Sequence, residues 1–359
     1  MTAHPAPMRL RRFLAGSLPF LYMVLLAWLL LGPLWREAGL PNTADGALHL
    51  HRSAAMARCW ASGLPWPRWF PAVYQGLGAP TFHYYSPLFY QVMAPLQLAG
   101  LPLDLATKLV ISLSFLAASL ATWGWLRRLL GPAAGLAGAT LYLAQPFFFR
   151  EYYFQGDYPQ LVALLWLPVV LWAFTRLYLD DRWFDRLAAP FSLALLIVAH
   201  NITALMGAGA LALYSLALLA WKRDACGWLR LAVSAGLGLG LSAFFWLPAL
   251  ADADLVRVHN LQKGFFHFGQ YFLSWADLLA PPPLLDSRAA NPPFPHMLGW
   301  PAWLALAAGV VVLIASFVRR SGWTAIRFWI VAGIAFVAFC LWLTRPRARS
   351  CGSKCRCWP

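Results

Sequence analysis

Long apolar runs separated by short polar turns organise this chain. The runs cover Phe13–Leu34, Leu105–Leu126, Pro132–Phe149, Gln160–Leu179, Leu187–Trp221, Leu231–Leu250, Leu298–Val318 and Thr324–Leu343. A bilayer crossing takes about 20 apolar residues in helical form. Leu187–Trp221 is too long for one crossing and short for two, so it predicts a tight hairpin with His200 and Asn201 at its tip. The pattern therefore predicts an all-α integral membrane protein, a polytopic bundle of about nine transmembrane helices. Stretches such as VALLWLPVVLWAF do not alternate, as barrel strands would. Pro87–Pro102 is apolar but short and broken by Pro95, which suits an interfacial or re-entrant segment better than a span. The first run is full length and reads as a retained helix, not a cleaved signal peptide. Gly236, Gly238 and Gly240 fall inside a span, where close helix packing accounts for them.

Charge then orients the pattern. The formal net charge is +15, with 61% of residues hydrophobic and 11% charged, far from the roughly 25% charged of soluble domains. With the N-terminus inside, the inner ends carry Arg9, Arg11, Arg12, Arg127, Arg128, Arg182, Arg186, Lys222, Arg223, Arg230, Arg319, Arg320 and Arg327. Only Asp180, Asp181, Asp185 and Asp224 oppose them there. That is the positive-inside asymmetry of a plasma (inner) membrane protein. The basic excess is thus an orientation signal with the lipid bilayer as partner, and no nucleic acid is expected. Crossing the membrane at Pro87–Pro102 would turn Arg127 and Arg128 outward, which the same rule rejects. The cysteines make no disulfide framework.

The chemistry lies in the connections placed on the outer, periplasmic or extracellular face. In the first, Asn42 or Thr43 can cap a helix, and Asp45, His49 and Arg52 follow at i, i+4 and i+7 on one face. The opposite face, Ala47, Leu50, Ala54 and Ala57, suits a helix lying on the membrane surface. The second outer turn, FFFREYYFQGDYPQ, packs Arg150, Glu151 and Asp157 among aromatic residues. The hairpin tip adds His200, a polar group costly at that depth unless paired or facing a cavity. Lys108, near the outer start of the second span, can reach a lipid phosphate or snorkel. A transporter would place ionisable groups nearer the bilayer midplane. Here they collect at the outer interface, where an enzyme using a lipid-linked substrate would work.

Several stretches carry a family resemblance: DGALHLHR (Asp45–Arg52), LPWPRWFPAVYQGLGAPTFHYYSPLFY (Leu64–Tyr90), YYFQGDYPQ (Tyr152–Gln160), AHNITAL (Ala199–Leu205) and LSAFFWLPAL (Leu241–Leu250). As a set they resemble the GT-C superfamily of membrane glycosyltransferases. The nearest are bacterial multispanning "6-pyruvoyl-tetrahydropterin synthase-related" membrane proteins and RgtA/B/C/D-like transferases. The pterin label itself finds no zinc-binding histidine cluster here. The resemblance implies an inverting transfer of a sugar from a polyprenyl-phosphate donor to an acceptor hydroxyl, the acceptor being a glycan, lipid or protein. Asp45 would match the family's first-loop acid and act as general base, within reach of Arg52 or Arg150. Arg52, Lys108 and Arg150 would stabilise the departing phosphate. Glu151 or Asp157 would match a second-loop acid that orients the acceptor or a metal, leaving a divalent metal open as cofactor. His49 and His200 complete the implied substrate and lipid-phosphate set.

The domain layout is one membrane domain over residues 1–343, with a first outer loop at 35–103 and a late one at 251–297. Residues 344–359 break the pattern: they are basic and crowd Cys351, Cys355 and Cys357 together. That tail is expected to be a frameshifted or truncated ending. The readings from other classes are a transporter or lipid flippase, and a non-catalytic membrane protein derived from such an enzyme. A cavity holding Asp45 at the outer interface would favour the enzyme, and a polar midplane cavity would favour transport.

Overall fold

The computed structural model describes residues 8–71, 73–257, 260, 263–264, 267, 271–281, 297–318 and 325–344. Helix α1 (Met8–Leu30) and the single turn α2 (Gly32–Arg36) lead into a first loop holding α3 (Gly46–Ala61), α4 (Thr81–Tyr84) and α5 (Leu88–Leu98). Then come α6 (Leu103–Leu130), α7 (Pro132–Leu143) and α8 (Pro146–Arg150), a π turn (Glu151–Gln155), and α9 (Tyr158–Leu179). The chain continues through α10 (Trp183–Ala199), α11 (Asn201–Lys222), α12 (Ala225–Leu241), α13 (Ala243–Ala251), α14 (Trp275–Leu279), α15 (Trp300–Val318) and α16 (Ala325–Leu343). Among the described residues there is no strand beyond an isolated Phe70–Ala79 bridge.

Local chemistry sets the boundaries. Asp157 caps α9 by accepting a hydrogen bond from the Gln160 amide at 3.0 Å, with Pro159 in the first turn. Asp224 does the same for α12 through the Gly227 amide at 2.9 Å. Such caps satisfy amides that have no partner inside the helix. The step Gly131-Pro132 ends α6 and opens α7.

Five described helices are long and apolar enough to cross a bilayer: α6, α9, α11, α15 and α16. The pair α12 and α13, bent by 67° at Ser242, makes a sixth when taken as one broken span. The other expected spans fall on shorter helices. Helix α7 has 12 residues and α10 has 17, about 18 and 26 Å at 1.5 Å per residue, and the described apolar part of α1 is Ser17–Leu30. Helix α5, with 11 residues, reaches about 16 Å and is too short to cross. The predicted hairpin is present: α10 stops at Ala199, His200 is extended, and α11 folds back. A Cβ on Gly207 of α11 would stand 3.1 Å from the Leu196 side chain of α10. Helix α15 buries none of its residues, which suits an apolar surface facing lipid.

Two buried clusters stack along the bundle. One joins α3, α5, the first half of α6 and the start of α9, around Met56, Phe89, Tyr90, Phe115 and Tyr158. The other joins α9 to α10, α11, α12 and α16, around Phe174, Leu193, Leu196, Leu218 and Trp329. Beyond the second, Arg128 pairs with Asp180, Arg176 with Asp185 at 2.8 Å, Arg186 with Asp181 at 2.8 Å, and Arg230 with Asp181 at 3.0 Å and Asp224 at 3.5 Å. Exposed ion pairs stabilise little, though Asp185 is buried, and together these pairs bring the turns expected on one membrane side to one end of the bundle. Helix α9, with 22 residues, separates that end by about 33 Å from Asp157. The tail at 345–359 and most of the late loop lie outside the described residues.

Candidate functional site

The polar cluster forms because the first loop docks on the turn before α9. The Ala44 and Asp45 amides donate to the Phe154 and Gln155 carbonyls at 2.9 and 2.7 Å. Two glycines permit this approach. Gly156 adopts φ of +72°, and a Cβ there would run into the Thr43 hydroxyl and the Gly46 amide. A Cβ on Gly46 would strike Thr43 and come to 3.1 Å from the Tyr158 hydroxyl oxygen. The π turn between Glu151 and Gln155 widens the helix at this point, as such turns often do at functional sites.

Asp45 is the N-cap of α3, and Thr43, one of the two residues expected to cap, accepts from the Gly46 amide at 3.1 Å. The Gln155 side-chain amide donates to the Asp45 carboxylate at 2.5 Å. The Arg52 guanidinium lies 4.9 Å over the Tyr85 ring. Helix α3 also departs from the surface-helix expectation. His49, Ser53 and Met56 are buried against α5, Ala57 is buried too, and Leu50 packs on the core. The polar face turns inward because partners await it there.

Those partners are a carboxylate and two phenols. His49 Nδ1 lies 2.6 Å from the Tyr90 hydroxyl, and its Nε2 points at Asp157 Oδ1, 3.7 Å away. His200 approaches the other oxygen, Nε2 to Oδ2, at 3.8 Å. Tyr85 donates toward Asp157 Oδ1 at 3.5 Å. Burial drives every shift in this group. It holds His49 down to about 3, aided by the Arg52 charge, and lowers His200 against the pull of Asp157. It also raises Asp157 despite the His200 imidazole. The Tyr85 and Tyr90 hydroxyls are pushed up for the same reason. Both imidazoles are therefore neutral at pH 7.

Glu151 is fully buried in the π turn. Its Oε1 takes the Arg150 guanidinium at 2.5 Å, while Oε2 has no hydrogen-bond partner. Burial outweighs the Arg150 charge and pushes this carboxyl up to about 7. Lys108 does not join the site. It is buried and donates to the Glu37 carbonyl at 2.7 Å, pinning the start of the first loop. Asp45, His49, Arg52, Asp157 and His200 thus converge with the Arg150–Glu151 pair beside them, while Lys108 is held by the Glu37 carbonyl. Tyr85, Tyr90 and Gln155 were missed as site residues, although HYYSP and QGD sit inside the quoted stretches. Among the described residues no three His, Cys, Asp or Glu side chains are grouped to hold a metal ion.

A groove of about 1050 Å³ opens between α10, α11, α12 and α13. Its walls are almost wholly apolar, among them Leu193, Ala208, Leu231 and Trp246, and Arg257 stands at its edge. Asp45 does not line it. Tyr84 and Asn201 do, and each is the chain neighbour of a site residue, Tyr85 or His200. The Asn201 amide donates to the Tyr84 carbonyl at 2.8 Å, and Ser86 donates to the Asn201 side-chain oxygen.

Residues 82–335 match the family described as 6-pyruvoyl-tetrahydropterin synthase related domain, a membrane protein. The match takes in Tyr85, Arg150, Glu151, Asp157 and His200 and begins after Asp45, His49 and Arg52. A comparison with curated proteins returns no match.

Proposed function

The chain belongs to the family of 6-pyruvoyl-tetrahydropterin synthase related membrane proteins, and we propose that it is a GT-C-type membrane glycosyltransferase. In this reading it moves a sugar from a polyprenyl-phosphate donor to an acceptor hydroxyl at the outer face of the plasma membrane, within a bundle of nine spans. One observation carries the reading: an ionisable cluster adjoins an apolar groove, joined through Tyr84–Tyr85 and His200–Asn201. A lipid-linked sugar has that same division, a hydrocarbon chain for the groove and a polar head for the cluster.

Asp45 takes the proton of the acceptor hydroxyl, whose oxygen attacks the anomeric carbon from the face opposite the phosphate. The bond from carbon to phosphate oxygen breaks, and polyprenyl phosphate leaves with the electron pair. Its charge needs cations. Arg150 is engaged by Glu151 and Lys108 by a backbone carbonyl, which leaves Arg52, over Tyr85, and Arg257, at the groove edge. The apolar groove offers a polar solute no path, so it supports lipid handling over solute transport. The test is transfer of radiolabel from polyprenyl-phosphate sugars by the detergent-purified chain. No transfer from any such donor, across hexose and pentose forms, would sink the proposal.

A further inference from the structure

Asp157 sits between two buried imidazoles in an arrangement that does not close on itself. Nε2 of His49 is 3.7 Å from Oδ1 and Nε2 of His200 is 3.8 Å from Oδ2, whereas a direct hydrogen bond needs about 2.7–3.2 Å. The ring protons are fixed by what lies behind each ring. His200 Nδ1 accepts from the Thr203 backbone amide at 3.3 Å and lies 2.9 Å from the Thr203 hydroxyl, so its neutral ring carries hydrogen on Nε2. His49 Nδ1 is 2.6 Å from the Tyr90 hydroxyl. Its Nε2 faces the Asp157 carboxylate at 3.7 Å, which favours an N–H on that nitrogen and a lone pair on Nδ1. The Tyr90 hydrogen therefore goes to His49, whose own proton also sits on Nε2. Two N–H donors thus face the two oxygens of one carboxylate.

Each pair, a donor and an acceptor under 4 Å apart, complements a hydroxyl, which accepts and donates at once. An oxygen atom about 2.8 Å from both members of a pair would satisfy each. Because both pairs share one carboxylate, two hydroxyls on neighbouring carbons can fill them together. The remaining contacts of Asp157, from the Gln160 amide at 3.0 Å and Tyr85 at 3.5 Å, fall on Oδ1 and leave Oδ2 open. We infer that His49, Asp157 and His200 form a binding site for a vicinal diol. Resting on the transferase reading, this makes the acceptor a glycan or polyol and excludes a lone alcohol of a lipid or a serine side chain. Asp157 is then a positioning residue for the acceptor, distinct from the base Asp45.

Saturation-transfer NMR on the detergent-purified full chain tests this with methyl mannoside, which carries a cis diol, and its 2,3-dideoxy analogue. Methyl mannoside should bind at least ~10-fold better, since a site built for a hydroxyl rejects a ligand lacking it. Asp157→Asn and His200→Phe should each remove that preference, and His200→Gln, which keeps a side-chain N–H, should restore part of it. Should Asp157→Asn fail to fold, the two His200 variants decide. Equal binding of both sugars, no binding of either, or an undiminished preference in His200→Phe overturns the inference. Diol binding without any sugar transfer would sink the transferase and spare the site. Transfer without a diol preference would do the reverse.

Discussion

Gln155 donates its side-chain amide to the carboxylate of Asp45 at 2.5 Å, and the backbone doubles the tie, the Asp45 amide donating to the Gln155 carbonyl at 2.7 Å. Two connections far apart in sequence are thereby one unit. The carboxylate is oriented by a neutral donor and keeps an oxygen for an incoming proton, which is what a general base requires.

Asp45→Asn retains shape and loses basicity. Transfer by this variant should fall at least ~100-fold in kcat, in the range typical for loss of a general base, with the melting temperature unchanged. Asp157→Asn should instead raise KM for the acceptor. Wild-type rates in both variants would remove these carboxylates from the mechanism.

Docking of the first loop depends on Gly156. Gly156→Ala combines a strained φ of +72° with a collision against Thr43 and Gly46 and should cost on the order of 1–3 kcal/mol. Gly100→Ala is the control, because φ is +88° there but nothing lies within 4 Å. Thermal unfolding should show the larger loss at Gly156, and equal losses would mean the close approach is unimportant.

Glu151 and His49 bend the pH–stability curve in opposite senses. The Glu151 carboxyl is raised from 4.5 to about 7, so the native state holds its proton more firmly than the unfolded chain. Its contribution is full below pH 4.5 and is lost as pH rises to about 7. His49 is lowered from 6.5 to about 3, so its contribution is full above pH 6.5 and is lost as pH falls toward 3. Melting temperatures of Glu151→Gln should lack the decline between pH 4.5 and 7 yet keep the acid limb. An unchanged curve would show that Glu151 ionises normally.

The groove is tested by filling it. Ala208→Trp and Ala235→Trp put bulk among lining residues and should raise KM for the lipid-linked donor at least ~10-fold, the worth of a few lost apolar contacts at about 25 cal/mol per Å². A water-soluble short-chain donor should lose far less. Equal losses for both donors would show that the groove does not take the chain.

Orientation has its own check. Reporter fusions at Asp181 and Lys222 should read cytoplasm and one at Gln155 the outer side. The ion pairs of Asp181 and Arg230 set one end of the bundle apart from the cluster at Asp157. A cytoplasmic reading at Gln155 would invert the protein and move its chemistry inside.

Apolar period and length determined much of this protein without any coordinates. The runs that became α6, α9, α11, α15 and α16, the turn at His200, and the short α5 were all legible, because a helix in lipid satisfies its own backbone and needs only enough apolar residues. That ionisable residues gather in a few connections was legible for a related reason, since a charge is costly near a membrane unless it is paired. Their pairing was not. Spacing placed His49 beside Asp45 and Arg52 on one helix face, yet His49 turns to Asp157 and Tyr90, and Lys108 to the Glu37 carbonyl. Nor did any periodicity reveal that α10 to α13 enclose a groove ending beside the site. Period describes one helix about its own axis. Which side chains meet across the bundle depends on how distant helices dock, and here that rests on two glycines that let the first loop close on the turn before α9.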